Sequence, residues 1–126
     1  MAKKIFIKRD VVDGLLTYCK SAYPEEGILL LRGKVKKDDI TITELVIPPL
    51  ATQAEAFSSF PLIMLPADSS ILGVAHSHPS GALRPSTEDL TYMYGRLMMI
   101  VGYPFESGRD IAIFDKDGNL AAYEIV

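Results

Sequence analysis

The chain has 126 residues, 48% of them hydrophobic, and a formal net charge of −3. That length supports a single domain, 1–126, around one core. No apolar run reaches the roughly 18 residues of a membrane span, and the basic residues never cluster beyond the pairs Lys3-Lys4 and Lys36-Lys37, which argues against a nucleic-acid partner.

MAKKIFIKRD carries charge on both sides of a short apolar segment, so residues 3–8 read as a first strand and not as a secretory leader. Asp10 is the expected cap of a helix running to Ala22, and Pro24 forces an exit. Val12, Leu15, Leu16, Cys19 and Ala22 share one face of that helix. Cys19 is the sole cysteine, so no internal disulfide can form and a cytoplasmic location is expected. On this face it reads as a small buried hydrophobe. GILLLRGKV, 27–35, has the continuous apolar character of a buried strand. ITITELVI, 40–47, alternates and is rich in β-branched residues, a second strand, which Pro48-Pro49 ends.

Residues 50–69 are irregular yet apolar, with Phe57, Phe60, Leu62, Ile63, Met64 and Leu65. Such a loop is either a buried connection or a surface that binds something. ILGVAHS, 71–77, is a further strand. Pro85-Ser86 opens a helix that Gly95 is placed to close. LMMIVGY, 97–103, reads as a buried strand, and 110–114 and 120–126 flank the hairpin signal Asp117-Gly118. The order predicts an α/β or α+β domain with one mixed sheet flanked by helices. It does not give the strand order.

The chain's two histidines stand together in HSHPSGALRPSTED, 76–89. Residues two apart on a strand point to one side, so His76 and His78 present adjacent imidazoles, half of a tetrahedral zinc shell. Ser86 is the natural N-cap of the next helix, which puts Asp89 in its first turn, folded back toward the imidazoles. Two His and one Asp leave a fourth position for water, the mark of a catalytic zinc site. Zinc-bound water loses a proton near neutral pH, and Glu25 and Glu26 are the candidate carboxylates to move it. Ser86-x-x-Asp89 is also a capping-box variant; capping and ligation are compatible.

These residues resemble the JAMM (MPN+) metalloproteases, whose motif is an upstream Glu, then H-S/T-H-P, seven residues to a Ser and two more to an Asp. Here it stands as Glu26, His76-Ser77-His78-Pro79, Ser86 and Asp89. SAYPEEGILLLRG and IVGYPFESGRDIAIFDKDGN resemble the corresponding segments of small archaeal members, so the likeness spans nearly the whole chain. The resemblance implies an MPN/JAMM fold (cytidine-deaminase-like), one Zn2+ per chain held by His76, His78 and Asp89, and hydrolysis of isopeptide bonds after the Gly-Gly terminus of a ubiquitin-like modifier. It makes Glu26, two residues after the proline, the proton carrier and leaves Glu25 a bystander. It gives Ser86 the developing oxyanion, a role compatible with capping only if the main chain helps finish the helix start. The implied partners are a small modifier protein and its conjugates, with no nucleic acid and no membrane. The chain has Leu83 where some archaeal relatives carry a disulfide cysteine, so packing, with Arg84 and Pro85, is expected to hold that loop. Substrate is expected to add as a strand to a sheet edge near the site, an edge supplied by the apolar 50–66 segment, whose Phe57, Phe60 and Met64 grip the modifier.

Other functions fit parts of the pattern. Relatives with similar motifs release an amino acid from a carrier protein, and a non-catalytic MPN scaffold would share the fold. A zinc deaminase needs a P-C-x-x-C segment, which a chain with one cysteine lacks.

Overall fold

The computed structural model describes residues 4–47, 69–86, 89 and 95–126. Strand β1 (Ile5–Ile7) leads into helix α1 (Arg9–Ala22), then β2 (Ile28–Lys36), β3 (Asp39–Val46), β4 (Ile71–His78), β5 (Leu97–Gly102), β6 (Ile111–Asp115), β7 (Leu120–Ala121) and β8 (Glu124–Ile125). The eight strands form one mixed sheet in the order β7-β6-β5-β4-β2-β3-β1-β8. β4–β5, β1–β3 and β1–β8 pair parallel; the remaining neighbours pair antiparallel.

The final strand departs from expectation. Residues 120–126 split into β7 and β8, at opposite ends of the sheet order. Only Ala122 and Tyr123 separate them, a span of about 11 Å at most, so the sheet curls until its two edges approach. Tyr123 fixes the break, because its single hydroxyl proton is shared between the Gly108 (2.6 Å) and Ile111 (3.0 Å) carbonyls.

α1 lays Val11, Val12, Leu15, Leu16, Cys19 and Ala22 into the hollow of this curl. There the first five of these meet Leu29, Leu31, Ala75, Met99, Val101 and Ile113. Each fully buried Leu contributes about 1.5–3 kcal/mol of transfer free energy. The expected Asp10 cap does not form. The helix begins at Arg9 with Lys8 at the N-cap and no side-chain cap. Backbone replaces it, since the Arg9 N–H donates to the Val126 carbonyl at 2.8 Å. Asp10 lies in the first turn, where its charge favours the helix dipole.

β5 is buried along its whole length. Leu97, Met99 and Val101 face α1, while Met98 and Ile100 join Ala112, Phe114 and the partly buried Leu83 on the other face. That two-sided burial explains its continuous apolar run. The helix expected between Ser86 and Gly95 lies mostly outside the described residues; Asp89, within it, is helical. The 50–66 segment lies outside them too. Among the described residues no helix is long and apolar enough to cross a membrane.

Candidate active site

β4 and β5 run parallel, so the chain between them must return from one end of the sheet to the other. The HSHPSGALRPSTED segment starts this return. His76 pairs with Ile28 of β2 and with Ile100 of β5. It is 1% exposed and shares the face of Ile100, away from α1. His78 is half-buried, its ring centroid 5.0 Å from that of His76.

Asp89 reaches both rings. Its Oδ1 is 3.4 Å from His76 Nε2 and its Oδ2 is 3.1 Å from His78 Nε2. One donor atom from each of the three residues falls within 4.8 Å of the others, and Asp89 is only 4% exposed. A capping box holds it: the Asp89 N–H donates to Ser86 Oγ (3.0 Å), and the Ser86 N–H donates to Asp89 Oδ2 (2.8 Å). The sequence expectation that capping and an oxyanion role compete for the Ser86 hydroxyl is thereby corrected. In the cap Oγ only accepts, so its proton stays available to a ligand.

His78 is also oriented from behind, with Nδ1 2.8 Å from the Ala82 carbonyl oxygen. A carbonyl only accepts, so Nδ1 carries a proton. In the neutral ring Nε2 then turns a lone pair toward a carboxylate oxygen. Two acceptors face each other, a place for a cation or for a second proton on His78. Such backing by a carbonyl is what fixes the tautomer of a metal-ligating histidine. The buried N, N, O donor set fits a metal ion, and two imidazoles with a carboxylate are zinc chemistry.

The electrostatics agree. Burial opposes charge on His78, but the Asp89 hydrogen bond, the Ala82 carbonyl and the charges of Asp89 and Glu26 outweigh it and raise its pKa. Burial pushes His76 down to about 4, although Asp89 pulls the other way, so His76 is neutral across physiological pH. Asp89 is raised by burial, but its hydrogen bond to His78, its attraction to His76 and the Ser86 N–H leave it below the usual carboxylate range.

Glu26 lines the same cleft, of about 400 Å³, with His78, Ser86 and Asp89. Glu25 is exposed and lies outside that lining. The loop is held by Leu83, packed against Met98, Ile100, Ala112 and Phe114, and by the Gly81 N–H on the His78 carbonyl at 2.9 Å. Arg84, expected to help, is exposed. Phe57, Phe60 and Met64 lie outside the described residues. The 50–66 segment, expected to supply the edge for strand addition, lies outside the described residues as well. Cys19 is buried and its thiol is pushed up to about 12 by burial, so it is inert. Sequence reading missed the Ala82 carbonyl, a contact no side-chain motif signals.

A model of the prokaryotic homologs of the JAB domain matches residues 8–114, and the chain belongs to that family. A Haloferax volcanii protein described as a probable metalloprotease is 31% identical over 127 residues, covering 95% of this chain and 78% of its own length. A JAB1/MPN domain protein from Archaeoglobus fulgidus is similar in fold with a TM-score of 0.72 at 31% identity, covering 98% of each chain. A structure described as JAMM, a metalloprotease-like zinc site in the proteasome and signalosome, gives a TM-score of 0.70 at 28% identity, again over 98% of both chains.

Proposed function

We propose that this chain is a cytoplasmic zinc isopeptidase, with one zinc per chain, that cuts after the C-terminal Gly-Gly of a ubiquitin-like modifier joined to a lysine. One observation carries the reading: Glu26, His78, Ser86 and Asp89 line a single cleft. His76, His78 and Asp89 would hold the ion, which when bound supplies an acidified water and polarises a carbonyl. Glu26, exposed at the mouth of the cleft, would accept a proton from the attacking water and return it to the departing lysine amine. The Ser86 hydroxyl donates to the scissile carbonyl oxygen as charge develops there. Pro79, Pro85 and Ala82 wall the cleft. A Gly-Gly terminus, with no side chains, passes such walls readily.

Cleavage of a Gly-Gly isopeptide conjugate by wild type and Glu26→Gln, with zinc measured on both, tests this. The expected result is one zinc in each and cleavage by the wild type alone. Equal cleavage by both removes Glu26 from the mechanism. Zinc in both with no cleavage of any modifier conjugate replaces the isopeptidase reading with a carrier-protein hydrolase or a binding scaffold.

A further inference from the structure

We propose that Ser77, the residue between the two histidines, is the positioning residue that holds Glu26 at the cleft; the inference rests on the isopeptidase reading above. Strand alternation points Ser77 away from His76 and His78, toward α1. It is 0% exposed, so it touches neither substrate nor ion.

Its contacts are with the residue after Glu26. The Gly27 N–H donates to Ser77 Oγ at 2.8 Å, and the Ser77 N–H donates to the Gly27 carbonyl at 3.1 Å. These bonds lie just beyond Ile28↔His76, the last registered pair of β2 and β4. In a regular antiparallel pair of this kind the Gly27 N–H would go to the Ser77 carbonyl. Here it goes to the hydroxyl, so the chain departs from the ladder at this point and Glu26 leaves the sheet toward the cleft.

The opposite side of Gly27 is closed as well. A Cβ there would stand 2.6 Å from Tyr18 Cε2 and 3.3 Å from Ala22 Cβ, so the backbone is pressed between α1 and β4. The Ser77 hydroxyl accepts from the Gly27 N–H, and the Ser77 N–H returns a bond to the Gly27 carbonyl. These two bonds tie the histidine strand to the glutamate loop. Without the hydroxyl, a buried N–H loses its acceptor. Such a loss is relieved by moving the backbone, and Glu26 moves with it.

The test compares Ser77→Thr and Ser77→Val, which share a shape and differ in the hydroxyl. Zinc content, kcat, KM and hydrogen exchange at the Gly27 amide are measured on each. Both variants are expected to hold zinc as the wild type does. Ser77→Thr keeps kcat within about threefold. Ser77→Val loses about 10- to 100-fold in kcat with KM little changed, the scale of an ångström-sized misplacement, and its Gly27 amide exchanges at least about tenfold faster. Equal turnover by the two, or slow Ser77→Val with unchanged Gly27 exchange, overturns the proposal; so does loss of zinc in Ser77→Val alone. If neither β-branched variant folds, Ser77→Ala is judged against wild type by the same readings. If the wild type itself cleaves no conjugate, the isopeptidase reading fails separately, and Gly27 exchange still decides whether the hydroxyl holds the loop.

Discussion

His78 and Asp89 meet Nε2 to Oδ2 at 3.1 Å, with the far side of the ring anchored on the Ala82 carbonyl. A proton and a metal ion therefore compete for one lone pair, and the pair sets how acidity and metal binding interact.

Zinc binding should release a proton from His78 and none from His76. His78 has a raised pKa, whereas His76, at about 4, is already neutral near pH 7. Calorimetric titration with zinc in buffers of different ionisation heat should give about one proton per zinc below pH 6.5, from His78; above the pKa of His78 that share vanishes and any proton released comes from a water on the ion. Without metal, the signs for stability follow. The His78 contribution is fully present below its unfolded pKa of about 6.5 and is lost as pH rises through the raised value. The Asp89 contribution is lost as pH falls through its lowered value. His76 withdraws stability as pH falls from about 6.5 toward 4. No proton release below pH 6.5 contradicts this assignment.

Asp89 both caps a helix and faces the imidazoles, and two substitutions separate these duties. Asp89→Asn keeps a cap acceptor but loses the charge. It should retain most of the stability and lose zinc affinity by about 100-fold or more, since a carboxylate oxygen is a far better zinc ligand than an amide. Asp89→Ala should lose zinc binding and, in addition, about 1 kcal/mol from the missing cap. Urea unfolding of the metal-free variants and zinc titration give the two quantities. Equal stability of the two variants would show that the side-chain cap adds nothing measurable.

Ser86→Ala removes the acceptor of the Asp89 N–H and a hydroxyl that lines the cleft. The cap loss should cost about 1 kcal/mol. If the hydroxyl also steadies an oxyanion, kcat should fall by about 10²–10³ with zinc retained. A kcat loss smaller than tenfold confines Ser86 to capping.

The strands that carry the site were legible because each is written within one segment. GILLLRGKV and ILGVAHS are apolar runs whose burial is set by neighbours on both faces, and the His-x-His spacing fixes a shared side on any strand. The far end was not legible. β8 pairs with β1 only because the sheet curls, a property of the whole sheet. The helix start was misplaced for a related reason, since the Val126 carbonyl that serves the Arg9 N–H comes from the other end of the chain. Ser77 was visible in the motif, but its partner Gly27 lies 50 residues away in sequence.

Two glycines separate local preference from tertiary fit. Gly14 is exposed within α1, and a Cβ there would meet only Leu45 Cδ1 at 3.6 Å, an ordinary contact. Gly14→Ala should therefore stabilise the protein by about 0.5–1 kcal/mol through helix propensity, raising Tm by a few degrees. Gly73, at the first registered pair of β4 and β5, is opposite Leu97, and a Cβ there would run into the Leu97 carbonyl. That obstacle is backbone, and the strand cannot retreat without opening the ladder that ends in His76 and His78. Gly73→Ala should lower Tm well beyond the gain of Gly14→Ala and weaken zinc binding, although the donor atoms at 76, 78 and 89 are untouched. A stable Gly73→Ala protein with wild-type zinc affinity would mean that the histidine pair does not depend on the register of β4 against β5.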